Sequence, residues 1–430
     1  MTAAGTMTPE VLLRAAFAAA IDAARAERVV TRWLPAPPRG RTLVVGAGKA
    51  AAAMALSFDQ HWQPDLAGLV VTAPGHAERC PRIEVLEAGH PIPTIVGQQA
   101  AERILQLVSG LTEHDLVVCL LSGGGSALLP LPARGLALDE KQVLTDALLR
   151  SGATISEINC VRRHLSRIKG GRLAAACHPA HVVTLAISDV PGDAPLDIAS
   201  GPTVADPTTC AEALGVLERY GIDAPPRVVA ALRGGEWESI KPADPRLRAA
   251  AYHVVAAPQQ SLEAAARLAA ASGVTPWILS DRLEGEARIV GREMAGLVAD
   301  VVREGRPVSP PCLLLSGGET TVTVRGHGRG GRNVEFLLAL GMELGSRENV
   351  FALAGDTDGI DGMAAVAGAI WKPDTWPRAA ALGLDPSRFL QDNDAHSFFW
   401  SLGDSVVTGP TRTNVNDFRA VLVLPDASGS

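Results

Sequence analysis

The sequence lacks the features that mark several protein classes. Its cysteines are scattered and form no C-x-x-C pair, which excludes the disulfide frame of a small secreted protein and a cysteine zinc site. No apolar run of ~18 residues could span a membrane, and no basic segment marks a signal peptide. The net charge of −7, without a basic block, argues against nucleic acid as a partner. We therefore expect reduced thiols, a cytoplasmic location and no membrane partner.

Aromatic residues are also scarce, at 4%, whereas the 430 residues include 43 glycines and 30 prolines. With 47% hydrophobic residues, this composition is typical of an α/β protein with Ala-rich helices and many tight turns. The length predicts two domains, and the loose polar stretch from Pro225 to Pro245 places their boundary between 1–240 and 241–430. Near-continuous apolar strands separated by helices predict two α/β domains with largely parallel or mixed sheets.

A glycine-rich turn follows the first predicted strand. Arg41–Val45 leads into Gly46-Ala47-Gly48-Lys49-Ala50-Ala51, which matches the G-x-G-x-x-A turn of dinucleotide-binding folds. The next strand, however, ends without the acidic residue that would bind a ribose hydroxyl. Lys49 at this turn suits a lone phosphate or carboxylate, and a solvated lysine at a helix start is the alternative interpretation.

Two further polar loops follow predicted strands. One is Ser122-Gly123-Gly124-Gly125-Ser126, and the other contains Asp189 and Asp193. Ligands of parallel sheets bind beyond the carboxyl ends of the strands, so these loops and Lys49 could line one crevice. Carboxylates in such turns suit Mg²⁺, although aspartate and glycine are also ordinary turn residues.

The segment 159–171 between these loops is strongly basic. Its charged residues are Arg162, Arg163, Arg167 and Lys169. Its apolar residues recur at helical spacing, which predicts an amphipathic helix with a charged face.

The most distinctive stretch runs from Cys312 to Leu338. Its apolar start breaks at Ser316-Gly317-Gly318-Glu319, a partial echo of the earlier Ser-Gly-Gly-Gly, which predicts a polar turn. A glycine-rich loop at 326–331 then opens a helix with Arg332 at its start. The first amides of a helix favour negative charge, and glycines let backbone approach a ligand. This pattern favours an anion-binding corner, with an ordinary flexible hairpin as the alternative.

Eight segments, in order from about residue 44 to 418, together resemble the glycerate 2-kinase family, whose carboxyl-terminal half is the MOFRL domain. They are VVGAGKAAAAMA, AGHPIPT, LLSGGGSALL, NCVRRHLSRIKGGRLA, SDVPGDAPLDIASGPTVADPTT, LSGGETTVTVRGHGRGGRNVEF, GDTDGIDG and TGPTRTNVND. The resemblance implies a Rossmann-like domain, a MOFRL-containing domain and an interdomain cleft. It also implies ATP-dependent phosphorylation of D-glycerate to 2-phosphoglycerate, with Lys49 and Arg332 on the family's active-site lysine and arginine.

This activity gives each polar loop a role, because phosphoryl transfer needs mainly positioning and charge neutralisation. We expect Ser122–Ser126, with Gly317, Gly318 and Glu319, to bind the nucleotide. Asp189 and Asp193 would hold Mg²⁺, with Asp189 also accepting the proton of the 2-hydroxyl. Lys49 and Arg332 would hold the glycerate carboxylate or the transferring phosphoryl group.

Other functions remain open from the sequence. An NAD(P)H-dependent hydroxypyruvate reductase would use the Gly46 turn, and a non-catalytic anion sensor would not need the aspartates. His396 and Arg412 depart from the family pattern, which leaves substrate preference open. A homodimer is also compatible with the sequence.

Overall fold

A computed structural model describes residues 7–362 and 365–426. The chain forms a continuous unit, Ala26–Val255, and a discontinuous unit made of Met1–Arg25 and Ala256–Ser430. This division differs from the predicted 1–240 and 241–430 because the amino-terminal segment packs with carboxyl-terminal residues. Helix α1 (Pro9–Ala23) is capped by the Thr8 hydroxyl, which accepts a hydrogen bond from the Val11 N–H at 3.4 Å. Its Phe17 ring lies 5.4 Å from that of Phe418.

The continuous unit is built on a six-stranded sheet with the order β3-β2-β1-β4-β5-β6. The pairings from β3 to β5 are all parallel. The strands are β1 (Thr42–Ala47), β2 (Leu66–Thr72), β3 (Ile83–Glu87), β4 (Leu116–Leu121), β5 (His181–Ile187) and β6 (Ala250–Ala256).

Helices connect these strands and cover the sheet. They are α2 (Ala26–Val29), α3 (Ala51–His61), α4 (Ile95–Leu107), α5 (Gly125–Leu128), α6 (Leu138–Arg150), α7 (Ile155–His164), α8 (Arg172–Cys177), α9 (Cys210–Arg219) and α10 (Pro226–Arg233). Strands β1 and β4 are buried along their whole length. This burial explains their uninterrupted apolar sequences, since a strand covered on both faces has no solvent side for polar residues.

The discontinuous unit contains a mixed sheet with the order β11-β10-β9-β12-β8-β7. Strands β7 and β8 are parallel, whereas β12 runs antiparallel to both β8 and β9, and β10 runs antiparallel to β9. The strands are β7 (Thr275–Glu286), β8 (Cys312–Thr321), β9 (Val350–Asp356), β10 (Gly368–Trp371), β11 (Ser405–Val406) and β12 (Asp417–Val423). The remaining helices are α11 (Pro258–Ala271), α12 (Ala287–Glu304), α13 (Arg332–Leu344), α14 (Thr375–Ala381), α15 (Pro386–Gln391) and α16 (Ala395–Ser401).

Alternate side chains of β8 belong to different cores, as the pleat of a strand requires. Cys312 and Leu314 pack with apolar residues of α12 and α13. Leu313 and Leu315 pack with residues of α1 and α11. The sheet is therefore covered on both faces, and the predicted α/β class with parallel or mixed sheets is confirmed. The interdomain cleft stays a prediction.

Within residues 7–362 and 365–426, no helix is long and apolar enough to cross a membrane.

Candidate active site

Three of the predicted polar loops lie along one edge of the continuous unit's sheet. Strand β1 pairs with β4, and β4 with β5, so that Ala47 lies opposite Leu121 and Leu121 opposite Ala186. The loops that begin one or two residues later therefore lie side by side. The strand order also reverses direction between β1 and β4, the position at which open α/β sheets bind ligands.

The turn after β1 is held by hydrogen bonds to the protein's own acceptors. The amide of Gly48 donates to the Val71 carbonyl at 3.1 Å, and that of Lys49 donates to the Gly123 carbonyl at 2.8 Å. The amide of Ala50 donates to the Ser122 hydroxyl at 2.9 Å. A dinucleotide fold uses amides at this turn for the pyrophosphate. Here the three are already engaged, so the sequence match to G-x-G-x-x-A does not provide the same binding site.

Two amides in the neighbouring Ser122–Ser126 loop are available instead. Gly123 and Gly124 have no hydrogen-bond acceptor for their N–H groups among the residues that the structure describes. Gly124 has a φ of +82°, and a Cβ there would lie 2.9 Å from the His90 imidazole and 3.6 Å from Lys49 Cγ. The available amides therefore lie beside Lys49, and Gly124 is required by both its backbone conformation and its close neighbours.

The other members of this loop have structural contacts. Ser122 is fully buried against the β1 turn. A Cβ on Gly125 would lie 2.7 Å from that of Ala199, so this glycine allows two loops to pack closely. Ser126 forms a hydroxyl–hydroxyl hydrogen bond of 2.7 Å with Ser200. Sequence alone did not separate these supporting residues from Gly123 and Gly124.

Asp189 and Asp193 lie in the loop after β5, at the same edge of the sheet, and both are half-buried. The amide of Asp193 donates to the Val190 carbonyl at 3.0 Å, and Asp193 has a φ of +54°. The Val190 amide donates to the Ser188 hydroxyl at 3.2 Å. Two carboxylates with partial solvent access are a donor set that fits Mg²⁺, which prefers oxygen ligands and retains waters.

The basic segment after α7 differs from its prediction. Helix α7 ends at His164, so Leu165 and Ile168, whose spacing indicated a longer helix, lie in the following loop. Arg163, His164 and Lys169 are buried, and only Arg167 is exposed. The predicted solvated charged face is therefore wrong. Periodicity could not reveal this, because Arg163 pairs with Asp197 and Asp206, which lie far away in the sequence. Lys169 likewise donates to two distant backbone carbonyls.

One group of potential metal ligands in the continuous unit forms an ion-pair network. His164, Cys210 and Glu238 offer ligand atoms within 4.8 Å of one another, in a search limited to the described residues. Glu238 Oε1 lies 3.0 Å from His164 Nε2 and 2.5 Å from Lys241 Nζ. The lysine ammonium already supplies a cation to this carboxylate, so we assign the group a structural role in joining α7 to the start of α9.

In the discontinuous unit, the predicted polar turn at Ser316–Glu319 is wrong. These residues continue strand β8, which is paired on both sides by β7 and β12. A Cβ on Gly318 would lie 2.2 Å from the Leu283 amide nitrogen, and the Gly317 carbonyl accepts a hydrogen bond from Arg419 at 3.3 Å. The same Ser-Gly-Gly sequence therefore forms a loop after β4 and part of a strand in β8. The proposed nucleotide contacts of Gly317 and Gly318 stay a prediction.

The glycine-rich loop before α13 accommodates the protein's own acidic segment. A Cβ on Gly326 would lie 2.3 Å from the Asp392 carbonyl oxygen, and one on Gly328 would lie 2.2 Å from Asp394 Cβ. The amides of His327 and Arg329 donate to the carboxylates of Asp392 and Asp394 at 2.9 and 2.8 Å. These carboxylates occupy the donors that an external anion would otherwise use.

The start of α13 is capped in a similar way. The buried carboxylate of Asp361 accepts hydrogen bonds from the amides of Asn333 and Val334 at 3.1 and 2.9 Å. Burial raises the pKa of Asp361 to about 6, although these two donors oppose the shift. The positive end of the helix dipole therefore already faces a carboxylate of the protein itself. Asp361 is one of three aspartates in the run Gly355–Gly362, and the sequence does not show which of them caps a helix.

Arg332 lies at the first position of α13 and is surrounded by acids. Its Nε donates to Asp417 Oδ1 at 2.7 Å, its Nη1 to Glu319 Oε1 at 2.5 Å and its Nη2 to Asp356 Oδ2 at 2.8 Å. Burial lowers the pKa of Arg332, but these carboxylates outweigh it and hold the pKa well above its usual value. The Glu319 side chain is 50% exposed, whereas those of Asp356 and Asp417 are 6% and 0% exposed. The bond to Glu319 is therefore the one most open to exchange.

The two units define a class of α/β protein that places lysine, glycine amides and carboxylates at one sheet edge and a carboxylate-bound arginine at another. Residues 12–233 match the family described as a domain of unknown function (DUF4147), and residues 312–417 match the MOFRL family. The chain is 40% identical to the D-glycerate 2-kinase of Thermotoga maritima over 94% of this chain and 96% of that protein.

A crystal structure of glycerate kinase from Thermotoga maritima has the same fold, with a TM-score of 0.87 covering 97% of this chain and 100% of that one. A protein of Agrobacterium vitis with the provisional name hydroxypyruvate reductase is 52% identical over 96% of this chain and 94% of its own length. The chain belongs to the glycerate 2-kinase family, which combines the DUF4147 and MOFRL domains.

Proposed function

We propose that this protein is a D-glycerate 2-kinase that transfers the γ-phosphoryl group of ATP to the 2-hydroxyl of D-glycerate, giving 2-phosphoglycerate and ADP. The observation that carries the proposal is the pair of available Gly123 and Gly124 amides beside Lys49, in a chain of this family. Amides and a lysine ammonium neutralise phosphate charge, and phosphoryl transfer requires little covalent chemistry from the protein.

We assign nucleotide phosphates to the Gly123 and Gly124 amides, with Lys49 holding either the transferring phosphoryl group or the glycerate carboxylate. Asp189 and Asp193 would hold Mg²⁺, whose chemistry when bound is to neutralise charge on the phosphate oxygens. Asp189 accepts the proton from the 2-hydroxyl as the hydroxyl oxygen bonds to the γ-phosphorus and ADP leaves. Both aspartates lie on the loop next to Ser122–Ser126 in the sheet, which supports this assignment.

Arg332 stabilises negative charge on a substrate through its Nη1 atom, which donates a hydrogen bond to Glu319 in the ligand-free protein. Its other two contacts, to Asp356 and Asp417, hold the guanidinium plane in place. An anionic substrate group would displace the half-exposed Glu319 carboxylate, because exposed ion pairs are worth only about 0–1 kcal/mol. On this proposal Glu319 occupies the anion's place in the ligand-free protein and is not itself a nucleotide ligand.

The rival function is an NAD(P)H-dependent hydroxypyruvate reductase, which the strand order and the Gly46 turn favour. Against it, the amides of Gly48, Lys49 and Ala50 are already bound to protein acceptors. Strand β2 also ends at Thr72, whose hydroxyl donates to the Gly48 carbonyl at 3.1 Å, instead of at an acidic residue.

A side-by-side assay of the purified protein separates these functions. D-glycerate with Mg-ATP is followed for ADP, and the product is identified as the 2- or 3-phosphate by ³¹P NMR. Hydroxypyruvate with NADH or NADPH is followed by absorbance. We expect glycerate-dependent ADP formation and 2-phosphoglycerate; oxidation of the reduced cofactor without kinase activity would refute the proposal. Binding of glycerate and Mg-ATP without turnover would instead indicate an anion sensor.

Substitution of the two proposed charge-stabilising residues tests their roles. Lys49→Ala and Arg332→Ala should each lower kcat/KM by roughly 10²-fold or more, as the loss of a transition-state contact does. Arg325→Ala, which removes an exposed arginine from the loop before α13, is the matched control and should leave the rate unchanged. Losses of less than about threefold in the test variants would remove these residues from the site.

We also propose a cytoplasmic location, supported by six cysteines that are all free. A homodimer stays a prediction, which analytical ultracentrifugation of the purified protein would test.

A further inference from the structure

Three cationic side chains of the continuous unit have no carboxylate partner among the residues described. Lys141, on α6, is 6% exposed, and its Nζ has no hydrogen-bond partner in the described part of the chain. Lys169 is 1% exposed and donates to two carbonyls, those of Ser126 at 2.9 Å and Ala199 at 3.3 Å. Arg162 makes one long hydrogen bond, 3.5 Å to Asn159 Oδ1. We call these three residues the cationic cluster.

The cationic cluster is connected to the glycine loop by hydrogen bonds. Asn159 Oδ1, the acceptor for Arg162, also accepts from the Ser200 hydroxyl at 3.3 Å. Ser200 in turn bonds to the Ser126 hydroxyl at 2.7 Å, and the Ser126 carbonyl accepts from Lys169. A chain of hydrogen bonds therefore links Arg162 to the Ser126 hydroxyl, and Lys169 donates directly to the Ser126 carbonyl. Arg162 and Ser126 are only half-buried, which leaves this end of the cluster open to a ligand.

In the described part of the chain, the cluster lacks the opposite charge that would keep its two lysines protonated. Burial lowers the pKa of Lys141 to about 7, with Arg162 and Arg172 adding to the shift. Burial, reinforced by Lys141 and Arg162, also holds the pKa of Lys169 well below its usual range. The nearby acids have other partners, since Arg163 pairs with Asp206 at 3.0 Å and with Asp197 at 3.5 Å. Buried like charges are costly unless an opposite charge accompanies them.

We propose that the cationic cluster of Lys141, Arg162 and Lys169 binds a phosphate group of the nucleotide, next to the Gly123 and Gly124 amides. This inference rests on the proposed kinase function and adds three side chains to its nucleotide site. A phosphate monoester carries about −1.5 to −2 charges and three acceptor oxygens. It matches three cations better than the carboxylate of glycerate, which carries one negative charge.

The test compares ligand binding by the wild type, Lys141→Met and Arg150→Met in isothermal titration calorimetry. Arg150 is the matched control, because it lies on the same helix with its side chain 79% exposed. The ligands are the nonhydrolysable ATP analogue AMP-PNP with Mg²⁺, inorganic phosphate and D-glycerate. We expect Lys141→Met to weaken AMP-PNP binding about 10- to 100-fold, the range for a hydrogen bond to a charged group, and to leave glycerate binding unchanged.

A second readout separates ligand binding from a purely structural role. Lys141→Met removes a buried amino group that has no hydrogen-bond partner among the described residues, so the ligand-free variant should melt about 2–4 °C higher than the wild type. A lower melting temperature together with unchanged AMP-PNP binding would overturn the proposal. Arg162→Gln, at the half-buried end of the cluster, should weaken AMP-PNP binding to a similar degree and gives the answer if Lys141→Met does not fold.

The remaining outcomes distinguish this inference from the proposed function. If the wild type phosphorylates glycerate but Lys141→Met and Arg162→Gln bind AMP-PNP normally, only the cationic cluster is misassigned. If these variants lose glycerate or free phosphate binding while AMP-PNP binding persists, the cluster binds a different anion and the proposal is wrong. If the wild type binds no AMP-PNP and has no kinase activity, both the function and the inference are refuted.

Discussion

Replacing Glu319 by glutamine decides between two roles for this residue. The substitution keeps the size of the side chain but removes the negative charge 2.5 Å from Arg332 Nη1. If Glu319 occupies the position of a substrate anion, Glu319→Gln frees that donor and strengthens binding. If Glu319 contacts the nucleotide itself, as the sequence suggested, the same change weakens nucleotide binding.

The size of the effect follows from exposure. Because Glu319 is half-exposed, solvent screens the pair, and we take about 0.5–1 kcal/mol from measurements on exposed pairs. The KM for the anion that Arg332 binds, whether D-glycerate or Mg-ATP, should therefore fall about two- to fivefold, with kcat changed by less than about twofold. The remaining bonds to Asp356 and Asp417 keep the guanidinium in place.

Initial rates are measured with each substrate varied in turn, at low salt and again at about 0.5 M salt, where screening should reduce the difference. Glu284→Gln is the control, because Glu284 is exposed and lies opposite Glu319 in the β7–β8 register. An increase in either KM would refute the displacement mechanism. An equal decrease in KM for Glu284→Gln would show that the effect of Glu319→Gln comes from the change in overall charge and not from the freed Arg332 donor.

Two further predictions concern pH and backbone geometry. The pKa of Asp361 is about 6 in the folded protein and about 4 unfolded, so between these values the folded state binds more protons. The contribution of Asp361 to stability should therefore rise by up to about 1.4 kcal/mol per pH unit as the pH falls from about 6 to about 4; over this range, thermal melts should show the wild type gaining stability relative to Asp361→Asn. Gly124→Ala should lower kcat/KM by about tenfold or more because its Cβ would meet His90, whereas Gly135→Ala, at a similar φ of +80° with open space around it, should leave kinetics unchanged. Equal effects of the two glycine substitutions on activity would exclude the His90 contact as the cause.

Much of the fold can be predicted from the sequence, because a strand that is buried on both faces has an uninterrupted run of apolar residues. Leu116–Leu121 has no polar residue, and this alone indicates a central strand of a covered sheet. Helix α1 shows the limit of such patterns. Its apolar face predicts that it packs against something, but nothing in that face specifies that Leu262 and Phe418 are the partners.

The sequence predicted the part of the candidate site that is formed by loops following adjacent parallel strands. The order of the strands brought Lys49, Ser122–Ser126 and Asp189 to one edge, as parallel pairing requires. The sequence did not show which glycines accommodate a ligand and which accommodate the protein, because Gly326 and Gly328 pack against residues about 65 positions further along the chain. It also could not show that Lys169 is buried, since its two carbonyl partners come from separate loops.

The divided composition of the discontinuous unit has a consequence for synthesis on the ribosome. Helix α1 is translated before the continuous unit, but its apolar partners on α11, β8 and β12 follow only after that unit has been made. The continuous unit can fold during translation, as domains generally do. During that time Leu13 and Phe17 of α1 lack the apolar residues that cover them in the folded protein. Newly made chains are therefore exposed to aggregation through α1 until β12 emerges.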